Sequence, residues 1–261
     1  MIRERSLLEQ IGAVARRSAL ATYRQRALLL FPMVFPLILF AINGSALSRA
    51  SEIPGFPTSS YRAFLIAMPF VQGAMFVSIS AGTSLARDIE TGFLNRLALT
   101  PLRSEAMLLG QLGGAFVVAC VQAVVYLLVG LATGVAFASG VAGVLVLLSL
   151  SLAIAFAFAC LGGLLALRLG SGEAIQGIFP LLFVTLFLSS ATLPRNIIKA
   201  AWFREVATYN PVSYLLEGLR SLVIQGWNAQ ALELAFGFAA LLAGISLALS
   251  STAMKSRLAR A

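Results

Sequence analysis

The residues able to do chemistry gather in two short stretches. Ala86 to Arg103 (ARDIETGFLNRLALTPLR) mixes Arg87, Asp88, Glu90 and Arg96 with Ile89, Phe93, Leu94, Leu97 and Leu99. Ile89, Phe93 and Leu97 recur at i, i+4, i+8, which on one helix makes an apolar ridge with charges around it. That chemistry is docking, although a solvated loop explains the stretch equally well. The second stretch opens on Asn210-Pro211, a helix-start pair, and runs VSYLLEGLRSLVIQ to Gly226. Glu217 and Arg220, three apart, can pair across one helical turn, a reading preferred over contact with a substrate.

Catalytic sets are missing. The chain has no histidine, which removes imidazole acid/base catalysis, Ser-His and Cys-His nucleophile pairs, and the commonest zinc and haem ligands. Cys120 and Cys160 sit in apolar runs and read as small core residues, neither a disulfide nor a metal site. The only lysines, Lys199 and Lys255, lack a phosphate-binding G-x-x-x-x-G-K-[ST] context, so the chain is not expected to hydrolyse ATP or to bind a cofactor of its own. Every acidic residue falls at the edge of an apolar run or between runs, unlike the embedded charges of proton- or sodium-coupled carriers. Asp-rich metal motifs are absent too, so the chain is expected not to be an enzyme.

Composition explains what the remaining residues are for. Of 261 residues, 59% are hydrophobic and only 11% charged, against roughly 25% charged in soluble domains, and mean hydropathy is +0.93. A soluble fold cannot hide that much apolar surface, so the fold class expected is an all-α polytopic membrane protein. Crossing a bilayer takes roughly 20 apolar residues. Charge-free runs cover Ala27 to Ser48, Ala63 to Ala86, Ala106 to Leu167, Ala174 to Pro194 and Leu234 to Met254. The third run is 62 residues long, enough for two spans with a turn at Ala138 to Ala142. Six transmembrane helices follow.

Lys and Arg divide 13 to 6 between the two sides, with the 13 on the side of both termini, so both termini are expected in the cytoplasm. The +9 net charge is then absorbed by orientation and anionic lipid heads, and no nucleic acid partner is needed. A charged segment follows Met1 and the first apolar run is long enough to stay as a span, so no cleavable signal is expected. Residues 1–26 form a cytoplasmic segment, 27–254 the transmembrane domain and 255–261 a tail. Leu7, Ile11 and Val14, with Leu8 and Ala15 beside them, read as an amphipathic helix along the membrane interface, with a solvated basic tail as the alternative. Gly110, Gly113, Gly114, Gly162 and Gly163 permit close helix approach. Gln72, Gln111 and Gln122 are read as hydrogen bonding between helices in preference to lining a path, and Pro32, Pro36 and Pro180 as sites where helices bend.

Taken together, the DIETGFLNRLALTPLR and NPVSYLLEGLR stretches, the six-helix layout and the basic N-terminus resemble permease subunits of ABC-2 type exporters, especially the drug-resistance branch. The resemblance covers nearly the whole chain. It implies that segment 87–103 is the coupling helix seated on a separate ATP-binding subunit, with roles for Arg87, Asp88, Glu90, Thr91, Gly92, Phe93, Leu94, Arg96, Thr100 and Pro101. It implies a second cytoplasmic contact at RLGSGE, with Gly170, Ser171 and Glu173. It also implies re-entrant helices in segment 195–230, carrying Asn210, Pro211, Tyr214, Glu217 and Arg220. ATP and Mg would bind the partner ATPase, and the path would lie between two permease copies or this chain and a sister. The implied cargo is a drug or lipid, with a lipid-linked polysaccharide or teichoic acid as the alternative; a non-transport assembly role is the remaining reading.

Overall fold

The computed structural model describes residues 6–24, 26–93, 96 and 104–258. Among them every regular element is helical: α1 (Leu7–Arg24), α2 (Arg26–Ala46), α3 (Tyr61–Leu65), α4 (Ala67–Glu90), α5 (Ser104–Gln111), α6 (Gly113–Ala132), α7 (Gly140–Leu169), α8 (Gly172–Phe187), α9 (Ala201–Tyr209), α10 (Pro211–Arg220) and α11 (Ala229–Leu258). The protein is all-α and polytopic in build. Four helical stretches are long and apolar enough to cross a membrane: Tyr61–Glu90, Gly113–Ala132, Gly140–Leu169 and Ala229–Met254. Two shorter apolar helices, Leu30–Ala46 and Gly172–Phe187, occupy the places of the other two expected spans.

α4 is the hub. It packs against α2, α6, α7, α8 and α10, and Val71, Met75 and Ala86 on it are fully buried. Its closest neighbour is α7. A Cβ at Gly162 would sit on the Ser78 carbonyl oxygen, and one at Gly82 would come within 2.9 Å of the Gly162 carbonyl. The two backbones therefore touch with no side chain between them, the arrangement small residues allow where lipid supplies no hydrophobic drive. Gly163 is less constrained, its nearest side chain 3.6 Å away.

Two boundaries differ from the sequence expectation. The turn between α6 and α7 falls earlier, because Gly134 at φ 80° ends α6 and its amide donates to the Leu131 carbonyl, 3.0 Å. The apolar Val135 and Phe137 are consequently outside any helix. The second difference is at the end of α4, where Gly92 at φ 65° breaks the chain direction after the Thr91 C-cap. Ile89 belongs to α4 and Phe93 follows the break, so these two do not share one continuous helix. Leu94, Leu97, Leu99 and the expected Thr100-Pro101 helix start lie outside the described residues.

α1 is held by protein. Its Gln10, Val14 and Ser18 are buried against α5 and α6, whereas Leu7 and Leu8 are exposed. A Cβ at Gly113 would meet Ala15 at 2.6 Å, and one at Gly110 or Gly114 would strike Val14, or Ser18 and Thr22. Ser18 Oγ donates to the Gln111 carbonyl (2.9 Å) and accepts from the Gly114 amide (3.1 Å). Of the stripe read as Leu7, Ile11 and Val14 with Leu8 and Ala15 beside them, Val14 and Ala15 meet the glycine surface of α5 and α6 while Leu7 and Leu8 stay exposed, because that surface selects the row of Gln10, Val14 and Ser18.

α2 continues through both of its prolines. Pro36 has no N–H to give the Pro32 carbonyl, and that oxygen accepts instead from Tyr126 Oη (3.2 Å) and Gln122 Nε2 (3.4 Å) on α6. Gln111 bonds across to α4 as expected, but the fully buried amide of Gln72 has no hydrogen-bond partner among the described residues.

The α4/α7 contact sets the first prediction. Gly162→Val is expected to cost about 1–3 kcal/mol through overpacking, read as a lower unfolding midpoint of the detergent-solubilised protein. Gly177→Ala, where nothing lies within 4 Å, should melt no lower than wild type. Equal midpoints for the two variants would mean that close backbone approach does not hold this pair.

Candidate functional site

The polar side chains singled out by the sequence collect at the two ends of the bundle. At the end bearing both termini, Asp88 is the organiser. It receives Arg17 Nη1 at 3.2 Å and Nη2 at 3.3 Å, a fork on a carboxylate, together with Gln111 Nε2 at 2.6 Å. The Arg17 guanidinium also lies 3.6 Å from the Phe93 ring centroid. One carboxylate on α4 thereby holds α1, α5 and the chain just past Gly92. Sequence reading had marked Asp88 and Phe93 but missed Arg17, which lies 71 residues from Asp88 and reads as one more basic residue in a basic tail.

Glu90 does something different. Its Oε1 accepts the Gly172 amide at 3.0 Å, at the first turn of α8. Ser171 caps the same turn by accepting the Ala174 amide at 3.1 Å, and Glu173 adds an acidic side chain there. Carboxylates suit a helix N-terminus because its first amides are unpaired and the helix dipole is positive there. Gly170, at φ 73°, ends α7 just before, and Arg257 from α11 donates to the Leu167 carbonyl at 2.7 Å. The expected coupling segment and the Gly170, Ser171, Glu173 turn are therefore parts of one surface. Arg87, Arg96 and Glu173 are exposed on it.

The opposite end is built around Arg220. Its side chain is buried and all three nitrogens donate to carbonyls: Nε to Phe64 (2.9 Å), Nη1 to Ser190 (2.6 Å) and Nη2 to Ala191 (2.5 Å). The guanidinium also stacks 3.6 Å over the Phe64 ring. Burial pulls its pKa down to about 9, with Glu217 and Tyr61 opposing, so it stays cationic at neutral pH. The expected Glu217–Arg220 pair within one helix does not form. Glu217 pairs with Arg195 instead and accepts from Ser190 Oγ at 3.2 Å. The reason is donor geometry: two carbonyls past α8 and one from α3 match the fork of Arg220, and Arg195 is left to meet the carboxylate.

Asn210 and Pro211 behave as expected. Asn210 Oδ1 caps α10 by accepting the Val212 amide (2.9 Å), its Nδ2 donates to the Thr185 carbonyl (2.6 Å), and Pro211 fills the first helical position. Tyr214 Oη donates to the Thr208 carbonyl at 2.8 Å. α10 runs into one π-helical turn, Ser221–Gln225, closed by Gly226 at φ 89°. Its Leu222 carbonyl is met by Ser139 Oγ (2.7 Å) and the Ser139 amide (3.2 Å).

A third feature was not read from the sequence. Phe31, Phe35, Phe76, Phe179, Phe183 and Phe187 form a connected wall on α2, α4 and α8, with ring centroids 4.6–6.3 Å apart. Phe31 and Phe187 at its edges are exposed. The signal was present as i, i+4 phenylalanines in two helices, at 31 and 35 and at 179, 183 and 187.

A helical bundle with four membrane-length spans and charged nodes at its two ends defines a multi-pass membrane protein. Residues 9–224 match the family model for the ABC-2 type transporter, and the chain belongs to that family. It is a transport permease by family, similar to a daunorubicin resistance ABC transporter permease protein of Streptomyces coeruleorubidus, with 28% identity over 202 residues that cover 75% of this chain and 67% of the relative. Putative transport permeases named ycf38 from Pyropia yezoensis and Porphyra purpurea are each 27% identical, over 85% of this chain and 77% of their own length.

Arg220 and Glu217 differ in what their loss would leave behind. Arg220→Ala would strand three carbonyls away from water and is expected to cost about 3 kcal/mol or more. Glu217→Gln, at a partly exposed pair, should cost about 1 kcal/mol or less. Unfolding midpoints of the two purified variants provide the check, and an equal loss in both would remove Arg220 from its clamping role.

Proposed function

We propose that the chain is the permease of an ATP-driven exporter, working with a separate ABC ATP-binding subunit and a second permease that is either another copy or a sister chain. ATP and Mg bind the partner ATPase, and this chain contributes the path and no catalytic group. The topology in this reading has six crossings with both termini in the cytoplasm of a plasma-membrane protein. The 13 to 6 division of Lys and Arg supports that orientation. Segment 195–230, with α9, α10 and the π turn, is re-entrant on the outer side. Residues 1–26, 27–254 and 255–261 are the cytoplasmic segment, transmembrane domain and tail.

The reading rests chiefly on the Glu90 carboxylate bonded to the Gly172 amide. A partner seated on Arg87, Asp88, Glu90, Thr91, Gly92, Phe93 and Arg96 touches Gly170, Ser171 and Glu173 as well. Any displacement it imposes is delivered to the ends of α4 and α8 at once, and through the Gly162 contact to α7. Leu94, Thr100 and Pro101 belong to the same docking proposal. Packed helices answer such a push by shifting between discrete arrangements, here inward- and outward-open. The cargo is an amphipathic or hydrophobic small molecule such as a drug or lipid. The phenylalanine wall, open at Phe31 and Phe187, offers it an apolar lining that a second permease completes, and the resistance named for the Streptomyces relative is consistent with such cargo.

Co-expression with an ABC ATP-binding subunit tests the docking. Arg87→Glu, Glu90→Lys and Phe93→Ala are each expected to weaken association about thirty-fold, the loss of one interface anchor of about 2 kcal/mol. Glu217→Gln should leave association unchanged. Wild-type co-purification of all three docking variants would return the segment to a solvated loop. Orientation has its own measurement: with Cys120 and Cys160 replaced, an impermeant maleimide on whole cells should label cysteines at Pro57 and Asn196 and spare one at Glu90. Labelling at Glu90 would invert the topology.

A further inference from the structure

Between α7, α8, α9, α10 and α11 lies a cavity of about 720 Å³ that none of the roles above uses. Its size falls in the range of drug-sized ligand sites, roughly 300–1,000 Å³. Phe158, Leu182 and Phe238 supply an apolar wall. Two of its polar lining groups are already engaged, the Asn210 amide nitrogen with the Thr185 carbonyl and the Asn210 side-chain oxygen with the Val212 amide. The remaining wall is one face of α9, where Trp202, Glu205, Val206 and Tyr209 follow helical spacing.

Glu205, itself exposed, carries the charge on that face. It is the only ionisable acid or base in the cavity lining apart from the phenol of Tyr209, and its carboxylate has no hydrogen bond or ion pair among the described residues. An unpaired carboxylate three residues after an exposed Trp and four before an exposed Tyr presents one negative charge flanked by two aromatic rings. That combination suits an organic cation, which gains from the carboxylate and from the ring faces while its apolar body enters the cavity.

We propose that this cavity binds an amphipathic organic cation, its apolar body against Phe158 and Phe238 and its charge at Glu205 between Trp202 and Tyr209. The site rests on the exporter reading, as a cargo-binding place on the segment taken there as outer, and narrows the cargo class to cations. A zwitterionic lipid is disfavoured because its phosphate would be brought close to the Glu205 carboxylate.

The chain has two tryptophans, so Trp227→Phe leaves Trp202 as a reporter in the cavity wall. In uncharged maltoside micelles, tetraphenylphosphonium should change the Trp202 emission saturably, and tetraphenylborate, of the same shape and opposite charge, should not. Adding Glu205→Gln is expected to weaken tetraphenylphosphonium binding about five-fold or more. Equal responses to the two ions, or no effect of Glu205→Gln, would overturn the proposal. Displacement of the cation by an equal concentration of dodecylphosphocholine would also overturn it, making the cavity a lipid site. ATPase co-purification of Glu205→Gln, measured in parallel, separates the outcomes: wild-type association with failed cation binding removes this site alone.

Discussion

In a bundle this apolar, a hydrogen-bonding group without a partner has no water to fall back on, and the architecture is organised by where such groups find relief. Pro36 frees a carbonyl on α2, and Tyr126 and Gln122 of α6 answer it. The π turn after α10 frees another, and Ser139 at the start of α7 answers that. The chain past α8 leaves carbonyls at Ser190 and Ala191, and α3 leaves one at Phe64; Arg220 answers all three. Each repair joins elements far apart in sequence, so the same pairings that satisfy the backbone fix how the helices lie. Gln72 stands outside this pattern, a fully buried amide with neither end bonded among the described residues.

The polar nodes at the two ends are unequal in kind. At the end with both termini, carboxylates do the joining, Asp88 to Arg17 and Gln111, Glu90 to a helix amide, and much of the surrounding charge remains exposed. At the other end the central group is a buried cation satisfied by neutral carbonyls, with Glu217 engaged by Arg195. The first arrangement leaves side chains available to another protein. The second closes upon itself and suits a region that holds shape while α9 presents its face outward.

How much of this could be read from the chain depended on whether the cause was local. Helix-start residues such as Asn210 and Pro211 act within a few residues of themselves, and the long apolar runs announce their helices by length, so both were legible. Gly110, Gly113, Gly114 and Gly162 were legible as close-approach positions because glycine in an apolar helix has few other uses. Partners were not legible. Glu217 chose Arg195, 22 residues away, over Arg220 one turn away, because the choice was made by carbonyls contributed from α3 and the end of α8. The ridge of Ile89, Phe93 and Leu97 misled for a simpler reason: periodicity counts residues and takes no account of Gly92 turning the backbone to positive φ. The family itself was legible from two short stretches in their right topological places, and the match over 9–224 bears that out.

The seat of α1 on α5 and α6 carries a consequence for biosynthesis. α1 leaves the ribosome well before its seat does, because the glycines that receive Val14, Ala15 and Ser18 come nearly a hundred residues later. At roughly 5–20 residues per second of translation, its half-apolar face waits several seconds or more before its binding surface exists. During that interval the helix has only the membrane surface or a chaperone to rest upon. α1 is thus made well before the surface that receives it, and the finished packing of this end reports that the intervening passes have been delivered correctly.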